Sequence, residues 1–195
     1  MKKIIVTQRE DLFENEYRDS LDIRWIYFLE KCNLIPILIP NNINLAKQYV
    51  DEEKYVGILL TGGGLISSLG GASPRDEIEK LLISKSLSNN IPLIGVCRGM
   101  QQIQSYFKIK LKKINGHVNS KFEINYQNNK ITINSFHNYG TEDTADNLVV
   151  TSRSSDNIIK SISHKEHKIK GIMWHPERND PFNNFDIKLF GEFFV

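Results

Sequence analysis

The apolar and polar positions of this chain follow two rhythms, one in each half. In the first half, short unbroken apolar runs alternate with stretches of helical spacing. Lys3 to Thr7 predicts a first strand. Leu21, Trp25, Phe28, Leu29 and Cys32 share one helical face, with Asp19 or Ser20 placed to cap the helix. Leu34 to Ile39 predicts a second strand, closed by Pro40-Asn41-Asn42, and a short helix is expected around Leu45 to Val50. Val56 to Leu60 predicts a third strand that ends in Thr61-Gly62-Gly63-Gly64. A helix is expected from about Pro74 to Ser86, where proline suits the first turn and Asp76, Glu77 and Glu79 suit the positive end. Ile91 to Val96 is a fourth apolar run, and a helix to about Phe107 follows it. Runs of this kind are strands buried on both faces. Four strand–helix alternations predict a parallel sheet covered by helices on both sides, with functional residues at the carboxyl ends of its strands.

The second half reads as short antiparallel strands. Phe122 to Tyr126 and Lys130 to Asn134 alternate around Gln127-Asn128-Asn129 and predict a hairpin. Leu148 to Ser152, Ile158 to Ser163 and Lys168 to Trp174 are further strands, with turns at Ser154 to Asn157 and His164 to His167. A last amphipathic helix carries Phe185, Leu189, Phe190 and Phe193. No repeat or linker interrupts the pattern, so residues 1–195 read as one α/β domain.

Composition narrows the partners. Hydrophobic content is 40% and charged content 25%, the balance of a globular domain. A net charge of +2 supplies no argument for nucleic acid or an anionic membrane. Lys108 to Lys113 is locally basic but alternates with Ile109 and Leu111, which predicts a solvated strand face. Ile4-Ile5-Val6 is too short for a signal peptide or a membrane span, so a cytoplasmic protein is expected. Two cysteines make no disulfide framework, and Cys32 reads as a small core residue.

The second cysteine is different. Gly95-Val96-Cys97-Arg98-Gly99 sits where a strand gives way to a helix. A sharp strand-to-helix turn of this composition is a nucleophile elbow, here with cysteine in place of serine. The helix N-terminus beneath the sulfur favours thiolate. Taken alone, the pentapeptide is equally a buried core cysteine between structural glycines. Trp174-His175-Pro176-Glu177 changes that balance, because it too follows a strand. His175 then reaches the sheet edge that holds Cys97, and Glu177 can orient its imidazole: nucleophile, base and orienting acid. Oxyanion donors are expected from the backbone N–H of Arg98 and of Gly63. A phosphate-binding loop is disfavoured, because the Lys-Ser/Thr ending is missing. His164 and His167 lack a third ligand and read as exposed hairpin residues, so no metal is expected. His117 reads as structural, and His137 as either structural or pocket-lining.

Thr61 to Gly64, Gly95 to Gln101 and Trp174 to Glu177 together resemble the class I glutamine amidotransferase superfamily over nearly the whole chain. The resemblance implies a flavodoxin-like three-layer α/β/α sandwich, a Cys97-His175-Glu177 triad, a thioester intermediate and no cofactor. Arg75-Asp76 with Glu79, and Asn134-Ser135-Phe136-His137, are similar to the γ-glutamyl hydrolase branch. Asn138 and Tyr139 depart from the His and Gln that often follow there. By resemblance, Gln101 and the backbone around Ser135 and Phe136, with His137 beside them, would hold the glutamyl end of the substrate. Thr7-Gln8-Arg9, Tyr17-Arg18-Asp19 and Leu21 to Trp25 look like the γ-glutamyl-CDP-amidate hydrolases of surface-polysaccharide phosphoramidate synthesis. Arg9, Arg18 and Arg24 are expected just past strand one, where arginine suits a nucleotide diphosphate. The implied partner is a small γ-glutamyl substrate, nucleotide-linked in this reading; the alternative is a glutaminase subunit serving a synthase.

Overall fold

A computed structural model describes residues 1–71 and 73–194. The first half runs β1 (Lys2–Thr7), β2 (Arg9–Phe13), β3 (Glu16–Ser20), α1 (Ile23–Lys31), β4 (Leu34–Ile39), α2 (Ile43–Glu52), β5 (Ile58–Leu60), α3 (Pro74–Asn89), β6 (Leu93–Val96) and α4 (Arg98–Tyr106). The second half runs β7 (Lys112–Lys113), β8 (Val118–Tyr126), β9 (Asn129–Phe136), β10 (Tyr139–Gly140), β11 (Leu148–Arg153), β12 (Ile159–His164), β13 (Ile169–Ile172) and α5 (Asn184–Phe193).

Seven strands form one sheet in the order β11-β12-β13-β6-β5-β1-β4. The pairings from β13 to β4 are all parallel, and β12 and β11 extend the sheet with antiparallel pairings. The strand order reverses at β1, with β4 on one side and β5 on the other. Right-handed crossovers therefore send α1 and α2 to opposite faces. On one face Phe28 of α1 meets Phe190 of α5 edge-on, with ring centroids 5.0 Å apart, and Trp25 packs beside them. The β8–β9 hairpin joins this layer, where Tyr126 packs edge-on against Trp174 and Phe185. Helices α2, α3 and α4 cover the other face. The expected three-layer α/β/α architecture with a mostly parallel sheet is the one observed.

Local chemistry explains where the elements start. Ser73 caps α3, Pro74 occupies its first turn, and Asp76 and Glu77 sit at its positive end. Gln127 and Asn128 both adopt left-handed backbone, which makes a two-residue turn between β8 and β9. Gly99 lies so close to β5 that an added Cβ would stand 2.2 Å from the Leu60 carbonyl oxygen. The first turn of α4 therefore rests directly on the sheet.

Three expectations need correction. Residues 9–20 form a separate hairpin, β2–β3, instead of leading into the helix. Its turn, Glu14-Asn15, is left-handed at both residues and carries no glycine to mark it. Asp22 therefore caps α1, while Asp19 accepts hydrogen bonds from Asn41 and Ser20 donates to Asp11. The basic stretch 108–113 is a strand only at Lys112–Lys113, where it pairs with β10. His164 is buried, because its ring packs 5.4 Å from that of Phe107 and its Nδ1 accepts the backbone N–H groups of Glu166 and His167.

Candidate active site

The site begins with backbone. Strands β6 and β13 are neighbours, with Val96 opposite Ile172. The Cys97 N–H donates to the Ile172 carbonyl at 2.8 Å, so the two strand ends are tied together. One chain turns at once into α4, and Cys97 takes φ 50° and ψ −102°. A positive φ is costly for any residue with a Cβ, and such strain is concentrated at functional sites. The other chain runs two residues further and delivers His175. Parallel pairing thus places a thiol and an imidazole side by side although they are far apart in sequence.

His175 Nδ1 lies 2.6 Å from Glu177 Oε1, and both side chains are buried. The Cys97 sulfur acts on the same imidazole electrostatically. Burial alone would lower the His175 pKa, but the Cys97 sulfur and the Glu177 carboxylate outweigh it and raise the group to about 9. The His175 backbone is held by Asn134, whose side-chain oxygen accepts the His175 main-chain N–H and whose amide donates to the His175 carbonyl, each at 2.8 Å. Phe136 stands edge-on to the ring at 5.9 Å. The clamp by Asn134 is legible only once β9 is seen beside the residues that follow β13.

The glycine loop after β5 faces this pair. A Cβ on Gly62 would come within 2.5 Å of His175 Cε1, and Gly63 and Gly64 have φ of 89° and 80°, so only glycine fits without strain. The carbonyls of the loop point away, towards one guanidinium. Arg75 donates to the oxygens of Thr61, Gly62 and Gly63 at 2.5, 3.4 and 3.1 Å. Arg75 also pairs with Glu79 at 2.7 Å, and the second carboxylate oxygen of Glu79 pairs with Arg98. Arg98 further bonds Asp76 at 3.0 Å. One buried carboxylate thus joins the glycine loop to the residue that follows Cys97. Burial lowers the Arg75 guanidinium to about 10, and burial likewise raises the Asp76 carboxyl.

The opposite wall is polar and buried. Gln101 donates to the Tyr139 carbonyl at 3.0 Å, and that carbonyl also accepts from His137 Nδ1 at 2.9 Å. Of the two residues that depart from the family pattern, Tyr139 contributes here through its carbonyl, while the Asn138 carbonyl accepts the Ile114 N–H. His117, Ser135 and His137 converge on Lys160, a residue the sequence pattern does not single out. Its position inside a strand gives no sign of a buried amine.

The arginines divide. Arg9 lies across the glycine loop, its Cδ 2.2 Å from where a Gly63 Cβ would be, and pairs with Asp11 at 2.7 Å. Arg18 sits on the β2–β3 hairpin, half-exposed, paired with Glu16 and stacked on Phe13. The hairpin carries it away from the sheet edge on which it was expected. Arg24 pairs with Asp22, though its charge reaches Glu177. Arg178 directly follows the Trp174 to Glu177 stretch, yet nothing in the sequence pattern marks it. Its guanidinium lies over the Phe136 ring at 4.7 Å, and it lines a narrow crevice with Arg9, Gly63 and His175.

Among the described residues, no helix is long and apolar enough to cross a membrane. Fold and site together define an α/β protein with a cysteine, a histidine and a glutamate gathered at the carboxyl edge of a parallel sheet. The profile of the family "Glutamine amidotransferase class-I" matches residues 17–187, and the chain belongs to that family. A γ-glutamyl-CDP-amidate hydrolase of Campylobacter jejuni is 37% identical over 179 residues, covering 89% of this chain and 88% of that protein. One component of a glutamine-hydrolysing GMP synthase from Methanobrevibacter smithii is 26% identical over 149 residues and 72% of each chain. The crystal structure of a Thermotoga maritima glutamine amidotransferase superposes with a TM-score of 0.67 at 16% identity, covering 98% of this chain and 83% of that one, a likeness of fold.

Proposed function

We propose that this chain hydrolyses a γ-glutamyl amide bond through Cys97, and that the leaving group is an anionic, nucleotide-linked amidate. The observation that carries the chemistry is a buried His175–Glu177 pair, 2.6 Å apart, at the end of the strand beside the one that delivers Cys97. The Cys97 sulfur attacks the γ-carbonyl carbon. A C–S bond forms and the oxyanion is received by the N–H groups of Arg98 and Gly63. His175 then gives its proton to the departing nitrogen as the C–N bond breaks. Water attacks the thioester, His175 takes the proton, and the C–S bond breaks to release glutamate.

Two observations support γ-glutamyl-CDP-amidate as the substrate. The Campylobacter relative bears that name, and Arg9 and Arg178 border the crevice beside His175 with the charge of Arg24 close by. Arginines suit a diphosphate by planar, paired hydrogen bonds. The test is glutamate release by the purified protein from γ-glutamyl-CDP-amidate, simple γ-glutamyl amines and glutamine. Turnover of the nucleotide amidate well above the other two is expected. Release from glutamine alone, and only with a synthase present, would instead make the chain an ammonia-supplying partner of that synthase.

The raised His175 pKa sets the alkaline limit of the reaction. The imidazolium supplies the proton that the leaving nitrogen needs, and it is lost as pH rises through about 9. Turnover is expected to fall across that range. Glu177→Gln removes one of the two charges that raise the group, so its alkaline limb should move to lower pH. Profiles of kcat/KM against pH for both proteins check this, and an unmoved limb would sink the role given to Glu177.

A further inference from the structure

Lys160 stands out because it is completely buried and has no use in the mechanism above. Its Nζ lies 2.7 Å from His117 Nδ1, 2.9 Å from His137 Nε2 and 3.2 Å from Ser135 Oγ, and 4.2 Å from the centre of the Phe122 ring. The proton positions follow from the partners. His137 Nδ1 faces a carbonyl, which only accepts, so Nδ1 carries the hydrogen and Nε2 accepts from lysine. Ser135 gives its own proton to the His117 carbonyl and also accepts from lysine. His117 Nε2 faces the Asp156 carboxylate at 2.8 Å, which leaves Nδ1 to accept. Three acceptors therefore meet three N–H donors, the set that an ammonium supplies and a neutral amine does not.

None of the three direct partners is a carboxylate. Burial holds His137 neutral by lowering it to about 3. Asp156 reaches the lysine only through His117 and is half-exposed. The contrast with Arg75 and Arg98 is instructive, since each of those buried cations has a carboxylate in direct contact. Burying a charge without a direct counter-ion is costly, so a purely structural role would favour a carboxylate or an apolar side chain here. Burial lowers Lys160 to about 8, while Asp156 and the Cys97 sulfur act in the opposite direction. Backbone pairing sets Lys160 beside the site, because its carbonyl accepts the Met173 N–H at 2.8 Å, two residues before His175.

A glutamyl group whose γ-carbon meets that sulfur carries its α-carboxylate only three carbons further along. The carboxylate enters a site already holding Cys97 and Glu177, both of which repel it in their ionised forms. We propose that Lys160 is a specificity-determining residue: its ammonium, with its three N–H groups already engaged, attracts the α-carboxylate of the substrate by charge and fixes the Ser135 and His137 side chains in this wall of the site. The inference rests on the γ-glutamyl hydrolase reading and adds the group that selects the glutamyl end.

The test compares two substrates that differ in one charge, γ-glutamyl-CDP-amidate and its analogue with a neutral α-carboxamide. The wild type should prefer the carboxylate by roughly 10- to 100-fold in kcat/KM. In Lys160→Met the preference should shrink to under about 3-fold, mainly through KM, with unchanged circular dichroism. Equal losses on both substrates, or an intact preference, would overturn the proposal. A wild type that cleaves neither substrate would overturn the hydrolase reading itself. Should Lys160→Met fail to fold, the wild type labelled with 15Nζ-lysine decides the matter. L-Glutamate should move the lysine resonance that titrates below the others, and isoglutamine should not. Identical responses to both ligands would refute the assignment.

Discussion

Cys97→Ala is expected to lose glutamate release by roughly 10⁴-fold or more, because the atom that forms the covalent intermediate is gone. The fold should survive. Cys97 is only 6% exposed, but alanine keeps the Cβ and meets the same positive φ, so the strain of the elbow is unchanged. The loss is therefore readable as chemistry. Glutamate release under single-turnover conditions measures it, and a variant that releases glutamate at the wild-type rate would sink the mechanism. A second consequence separates this account from general damage. The sulfur is one of the groups that raise His175 to about 9, so the His175 resonance should titrate at lower pH in the variant. A histidine that titrates as before would mean that the two side chains do not form a pair.

Glu79→Gln is expected to be the most destabilising conservative change in the molecule, by ~3–5 kcal/mol. The substitution keeps the volume of the side chain and removes its charge. Two buried guanidinium groups, Arg75 and Arg98, then share the single carboxylate of Asp76, which touches only Arg98. Arg75 loses its counter-ion and is left with neutral acceptors alone, the carbonyls of Thr61, Gly62 and Gly63 and the hydroxyls of Thr7 and Thr61 among them. Urea unfolding gives the stability change, and a midpoint equal to that of the wild type would refute the claim. Activity should fall further than the unfolded fraction accounts for. The glycine loop and the Arg98 backbone are aligned through this carboxylate, so loosening it separates the two proposed oxyanion donors. That loss should appear in kcat and not in KM.

The apolar runs at Ile4, Ile58 and Leu93 are readable because a strand buried on both faces leaves an unbroken signature, whereas the run at Leu34 is equally apolar although it forms the sheet edge and exposes Ile35 and Leu38. The same physics makes the β2–β3 hairpin unreadable. Its strands are largely solvent-exposed, so polar residues occupy both faces and no alternation survives, and the Glu14-Asn15 turn lacks glycine. The burial of His164 is hidden for a related reason. Its neighbours in sequence are polar, and the surface that buries it, Phe107, is contributed by the end of another helix.

The sequence by itself determined the strand and helix alternation, the elbow at Cys97, the glycine loop and the His175-Pro176-Glu177 ending. Each is a local pattern whose backbone demands are written in neighbouring residues. Tertiary structure alone decided which side chains share the pocket. Lys160 sits within an otherwise ordinary strand pattern, Asn134 clamps the His175 backbone from the β8–β9 hairpin, and Arg178 joins Arg9 beside the crevice. These depend on strand order and register, which bring distant segments within a few ångströms. The charge that surrounds Cys97 is set by those contacts, and periodicity along the chain carries no record of them.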